Sequence, residues 1–190
     1  MFSWISKSDP NVQLLVTVPD SFAIECLNNK ELMDRVQDPE EAISVLKGEN
    51  KKFDEKIVQK MFELYALIHS EYLKTDEGLV KIHQKYLNKE FGTCPRSLCH
   101  KCQCLPYGVR SKIGELPIKW YCPNCSDLYS LKDTEIGCDL DGAFFGPSYV
   151  INLLGKYPNI IPKELPEVYE PRIFGFRMCP IDPSSESDSN

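Results

Sequence analysis

The chain has 190 residues, 42% hydrophobic and 26% charged, and a formal net charge of −6. That apolar fraction suffices for a packed core and argues against wholesale disorder. The acidic balance argues against a nucleic-acid binder, whose affinity comes from lysine and arginine on phosphates.

No apolar run approaches the roughly 20 residues of a membrane span, and residues 1–7 lack the apolar core of a secretory signal. The cysteines number nine, an odd count, and six of them cluster between residues 94 and 125. They read as metal ligands of a reduced, intracellular protein rather than as the disulfides of a secreted one.

Helical signals fill the N-terminal part. A helix is expected after Pro19-Asp20, using Phe22, Ile24 and Leu27. Asp38-Pro39-Glu40-Glu41 reads as a second helix start, with Asp38 as cap, Pro39 in the first turn and Glu41 reaching back. Ala42, Ile43, Val45 and Leu46 supply its apolar face, and Gly48 ends it. Ile57, Met61, Leu64, Tyr65, Ile68 and Tyr72 recur at threes and fours, which predicts a long amphipathic helix. Thr75 caps a further helix bearing Leu79, Ile82, His83, Tyr86 and Leu87.

From Phe91 the grammar changes. Proline and glycine become frequent, and short β-type runs appear, such as Ile118-Lys119-Trp120-Tyr121. Asp139-Leu140-Asp141-Gly142 opens like a calcium loop, but Ala143-Phe144-Phe145 offers no side-chain oxygen, so a tight turn is expected. Residues 149–154 predict a helical turn or two. The four prolines of 157–171 predict extended chain, and the Ser- and Asp-rich 181–190 predicts a disordered tail. The expected class is α+β. Residues 1–90 form a mostly helical domain, 91–146 a four-cysteine zinc-ribbon β-module, and 147–180 an extended C-terminal segment ahead of the tail at 181–190.

The chemistry concentrates in two Cys-Pro units, Cys94-Pro95-Arg96-Ser97-Leu98-Cys99 and Cys122-Pro123-Asn124-Cys125. Four converging thiolates favour tetrahedral zinc, and a closed four-sulfur site leaves no open position for catalysis. Spacing alone leaves two sets open. Cys99 and Cys102 with Cys122 and Cys125 match paired CxxC spacing. Cys94, Cys99, Cys122 and Cys125 match the repeated Cys-Pro, in which proline pre-sets a turn with backbone N–H groups facing sulfur. Cys26 reads as core; Cys102, Cys104, Cys138 and Cys179 read as free thiols. His69 and His83 read as packing residues on helical faces. No phosphate loop, nucleophile elbow or zinc-protease motif occurs, so the chain reads as a scaffold rather than an enzyme.

These residues resemble the regulatory (beta) subunit family of casein kinase II. The resemblance runs from about Trp4 to Pro180. It is carried by Leu67-Ile68-His69 with Tyr72, by Phe91-Gly92-x-Cys94-Pro95-Arg96 and by Tyr121-Cys122-Pro123-x-Cys125. Leu105-Pro106-x-Gly108, Asp127-x-Tyr129, Asp141-Gly142-Ala143-x-Phe145-Gly146 and Pro171-Arg172-x-Phe174-Gly175-Phe176 add to it.

The resemblance implies one structural zinc per chain on Cys94, Cys99, Cys122 and Cys125. It implies a homodimer in which Pro95, Leu98 and Leu128 lie where two ribbons meet. It also implies two catalytic kinase subunits per dimer, each bound through Phe174 and Phe176, with an influence on which protein substrates are used. Cytoplasmic and nuclear localisation goes with that reading. Packing of a final strand on its own domain is the plainer account of the two phenylalanines.

The chain departs from the family at Asp38-Pro39-Glu40-Glu41, Lys47 and Lys51-Lys52, where a strongly acidic loop is usual. It also lacks the Ser-rich acidic N-terminal stretch, and Asn152 replaces an apolar residue. In the tail, Ser185 and Ser187 lie near Asp188 and suit phosphorylation by an acid-directed kinase. A zinc-ribbon module of nucleic-acid machinery is the competing class; the acidic charge speaks against it.

Overall fold

The structure, a computed structural model, describes residues 10–49, 54–164 and 166–178. The tail with Ser185 and Ser187, and Cys179, lie outside the described residues. Within them the fold is α+β, with helices α1 (Asp20–Asn28), α2 (Lys30–Met33), α3 (Glu40–Leu46), α4 (Glu55–Tyr72), α5 (Asp76–Leu87) and α6 (Tyr149–Lys156). Strands β1 (Leu105–Tyr107), β2 (Lys119–Cys122) and β3 (Asp127–Ser130) form an antiparallel sheet, and β4 (Arg172–Ile173) pairs with β5 (Phe176–Arg177). No helix among the described residues is long and apolar enough to cross a membrane.

Helix α4 is the central beam. All six residues of its expected stripe, Ile57, Met61, Leu64, Tyr65, Ile68 and Tyr72, are buried. Asp54 caps its start by accepting from the Ile57 N–H at 2.8 Å, and Thr75 caps α5 by accepting from the Gly78 N–H at 3.1 Å, each satisfying an amide that the helix itself cannot. Helix α6 appears where the apolar run predicts it.

Two local expectations need correction. Helix α3 starts at Glu40 with Pro39 at the cap position and no side-chain cap bond. Asp38 is left-handed (φ 49°) instead of holding the extended conformation from which a cap residue reaches the first amides. In α1 the buried residues are Ala23, Cys26 and Leu27, while Ile24 is exposed. Its neighbours Ala23 and Leu27, four residues apart on one face, took the inward stripe.

One buried hydrogen-bond relay ties the N-terminal segment, α4 and the loop after β3 together. Fully buried His69 accepts the Val16 N–H at Nε2 (3.0 Å), which places the ring proton on Nδ1, 2.6 Å from the Phe144 carbonyl oxygen. Both backbone groups would otherwise be orphaned in the core. Nearby, Asp141 accepts the Ala143 N–H at 2.8 Å and the Gly114 N–H at 2.5 Å. The expected tight turn is thereby held, and its carboxylate serves the backbone.

Gly108 and Gly142 mark the closest approach of two loops. A Cβ on Gly108 would collide with the Gly142 carbonyl oxygen, a backbone atom that cannot swing aside. Gly108→Ala is expected to lower the free energy of unfolding by about 1–3 kcal/mol, as overpacking does in tight interiors. Urea denaturation checks it; an unchanged midpoint would mean the loops separate without loss.

Candidate functional site

The first Cys-Pro unit is a knuckle between paired arms. The Cys94 N–H donates to the Cys102 carbonyl at 2.8 Å and the Cys104 N–H to the Gly92 carbonyl at 2.9 Å. Between them, Pro95 turns the chain into a single 3-10 turn, Ser97–Cys99, and left-handed His100 and Lys101 (φ 51° and 56°) return it. The second knuckle leaves the end of β2 at Cys122 and closes through left-handed Ser126 (φ 53°), whose N–H donates to the Cys122 carbonyl at 2.9 Å.

The two knuckles converge. The sulfurs of Cys94, Cys99, Cys122 and Cys125 all lie within 4.8 Å of one another. Cys94 and Cys125 are 3.8 Å apart and Cys99 and Cys122 3.5 Å. Four sulfurs at tetrahedral corners about 2.3 Å from one ion stand about 3.8 Å apart, so the donor set fits a tetrahedral metal.

Of the two sets open from spacing, the fold gathers the one with Cys94. The Cys102 thiol instead donates to the Gln103 carbonyl (3.6 Å). The fully buried Cys104 donates to the Cys102 carbonyl (3.7 Å). The Cys102 backbone pairs with Cys94, and its thiol, although near Cys122, is not among the four sulfurs that all lie close to one another.

Donors surround the sulfurs. The Cys125 N–H lies 3.4 Å from Cys122 Sγ, and the backbone amides of Arg96 and Asn124 act on Cys94 and Cys122 respectively. Each Cys-Pro turn thus directs amides at its leading sulfur, as the repeated proline suggests. The Asn124 side chain donates to Cys99 Sγ at 3.5 Å, and Arg96 Nη1 to Cys125 Sγ at 3.8 Å.

From the protein's own groups, burial pushes the Cys94 thiol well up and Cys122 to about 12. Burial also acts upward on Cys125, but hydrogen bonds from Tyr129, Cys99 and Arg96 outweigh it and bring the thiol to about 7. Cys125 therefore ionises ahead of Cys94 and Cys122. A metal must displace protons from its buried companions, so binding weakens as pH falls.

The residues expected beside the sulfurs are accessible. Pro95 is exposed, and Leu98 and Leu128 are half-buried. Leu128 lies opposite Tyr121 in the β2–β3 register.

Phe174 and Phe176 sit on the β4–β5 hairpin, clear of the core: Phe174 is 97% exposed and Phe176 79%. The two-residue turn Phe174-Gly175 has φ of 50° and 85°, the doubly left-handed geometry of a type I′ turn, which favours asparagine and glycine. A phenylalanine held there costs about 1–2 kcal/mol. An aromatic in such strain and almost wholly in solvent contributes nothing visible to this chain's own packing. Asn152 and Ile151 are exposed on α6.

Arg96 is the residue that sequence reasoning passed over. Besides reaching Cys125, its Nη2 donates to the Glu167 carbonyl at 3.2 Å. The Glu167 N–H donates to the Leu98 carbonyl at 3.1 Å. The segment leading to the hairpin is thereby tied to the first knuckle. The only signal was the position of Arg96 inside the Cys-Pro unit.

Comparison with known proteins gives concordant results. A sequence model described as the casein kinase II regulatory subunit matches residues 3–177. The chain is 40% identical over 115 residues to casein kinase II subunit beta of Dictyostelium discoideum, covering 60% of this chain and 42% of the relative. It is 41% identical over 116 residues to subunit beta' of Saccharomyces cerevisiae, covering 61% and 45%. It is 33% identical over 190 residues to subunit beta-2 of Schizosaccharomyces pombe, covering 94% and 74%. The matched stretch thus spans less than half the length of the first two relatives.

Proposed function

The chain belongs to the casein kinase II regulatory subunit family, and from that premise we propose that it is a non-catalytic regulator of that serine/threonine kinase. Its two parts divide the work. The four cysteines hold a structural zinc ion, which supplies folding free energy to a β-module with little core of its own. Two such modules meet at Pro95, Leu98 and Leu128, the first exposed and the others half-buried, which leaves them accessible to a second copy of the chain.

The observation that carries the reading is the β4–β5 hairpin. Two aromatic side chains flanking a glycine, Phe174 on the strained turn and Phe176 at the start of β5, extend into solvent and offer large apolar burial for few ordered torsions, which is the chemistry of an interface hot spot. Each chain of the homodimer would seat one catalytic subunit there, stabilising it and influencing which protein substrates it takes in the cytoplasm and nucleus. Arg96 and Glu167 connect that hairpin to the zinc knuckle, so the metal would steady the binding segment as well as the dimer. Tail phosphorylation at Ser185 or Ser187 fits the same partner.

Capture of a purified catalytic subunit tests the assignment. Phe174→Ala with Phe176→Ala is expected to weaken it at least as much as the loss of two interface anchors, about 2 kcal/mol or more each. Undiminished capture by the double variant would remove the hairpin from the interface.

A further inference from the structure

A cavity of about 590 Å³ opens between α4, the chain after α2, the loop at 111–113 and the entry to α6. Its size is that of a ligand site. Ala66 and Phe145 close its floor, each 1% exposed, and the half-buried Leu67 and Ile113 are the apolar side chains that it presents. Its rim is charged, and the charges do not cancel. Among the described residues, Arg35, Lys60, Lys74 and Lys112 face only two carboxylates, Glu63 and Glu71.

Lys60 pairs with Glu63 at 2.9 Å. Glu71 is shared, 3.0 Å from Arg35 and 2.7 Å from Lys74, so one carboxylate answers two cations. Lys112 is exposed and makes no ion pair among the described residues. The surplus is two positive charges, in a chain whose overall charge is −6. An acidic protein that gathers excess cations round one apolar-floored cleft concentrates its attraction for anions there.

We propose that this cleft docks an acidic peptide segment of a partner protein, with carboxylates on Lys112, Lys74 and Arg35 and one apolar side chain against Leu67 and Ile113. The excess of two charges suits a short carboxylate segment. A nucleic-acid backbone would require a longer run of cations. The proposal stands apart from the hairpin and rests on the regulatory reading only in one respect: the partner would be a protein substrate offered to the kinase.

The test is fluorescence anisotropy of the full chain with a labelled peptide of glutamates flanking a central leucine. Binding is expected to weaken with added salt and to weaken again when the leucine becomes serine. Lys112→Glu is expected to lower affinity about tenfold, the scale of one close charge reversal, while Lys112→Arg retains it. Because Lys112 has no ion pair to break among the described residues, the variant keeps the contacts seen there; unchanged metal content verifies this.

Equal binding by Lys112→Glu, or by a lysine-for-glutamate peptide, would overturn the proposal, as would equal affinity for a single-stranded oligonucleotide. Capture of the catalytic subunit, measured in parallel, separates the two readings. Failure of capture by the unaltered chain removes the regulatory role and leaves the peptide result to stand or fall by itself.

Discussion

Cys99→Ser is expected to strip the chain of its proposed zinc and unfold the β-module, whereas Cys102→Ser leaves both intact. The two residues are three positions apart and both carry thiols, so composition and spacing treat them alike. Cys99 Sγ lies 3.5 Å from Cys122 Sγ and accepts from the Asn124 side chain at 3.5 Å. Cys102 Sγ donates to a carbonyl outside the cluster.

A serine at 99 would replace a soft thiolate by a hydroxyl that stays protonated and ligates zinc poorly. Structural zinc binding is worth about 10–16 kcal/mol in small modules, as much as a domain's whole margin of stability, so loss of a large part of that affinity is enough to melt the module. Metal content by atomic emission and dimer state by analytical ultracentrifugation read the effect. Zinc retained at one per chain in Cys99→Ser, or lost in Cys102→Ser, would overturn the ligand set.

Acidification is expected to destabilise the helical part through His69. Burial, chiefly, and the charge of Lys85 hold its imidazole down to about 4, against the smaller upward pull of the Phe144 carbonyl. In the unfolded chain a histidine titrates near 6.5. Between those values the unfolded chain binds a proton that the folded one refuses. The contribution of neutral His69 is therefore fully present above about pH 6.5 and is lost as pH falls toward 4, by about 3 kcal/mol in all.

His69→Ala should cost about 3–5 kcal/mol at neutral pH, from the cavity and from the Val16 N–H and Phe144 carbonyl left without partners. The cost should shrink on acidification, because the variant no longer carries the group that resists protonation. Urea denaturation of both proteins at several pH values tests this. Parallel pH profiles for the two would assign the acid sensitivity to other groups, the thiolate ligands among them.

The helices were legible because their signals are local. The α4 stripe repeats every three or four residues, and Thr75 announces its cap by residue type. Asp38 misled for the same reason: a cap is read from side-chain chemistry, but the left-handed backbone at that residue (φ 49°) is not written in its residue type. Ile24 likewise looks like core until the direction of α1 is known. Gly108 and Gly142 carry no sequence signal of their own, since the clash that requires them lies between residues 34 positions apart.

The sequence by itself determined the chemistry available: four thiols on two proline-led turns, an α4 with one apolar face, and two aromatics around a glycine near the end. Tertiary structure decided what that chemistry meets. It selected Cys94 over Cys102, because sulfurs converge through backbone pairing that spacing does not encode. It linked Arg96 to both Cys125 and Glu167, and placed His69 between two distant backbone groups. It also gathered Arg35, Lys74 and Lys112, unremarkable as single residues, around one cleft. Distances of a few ångströms between side chains far apart in sequence arise only when the core closes, and those distances set the strength of every contact named here.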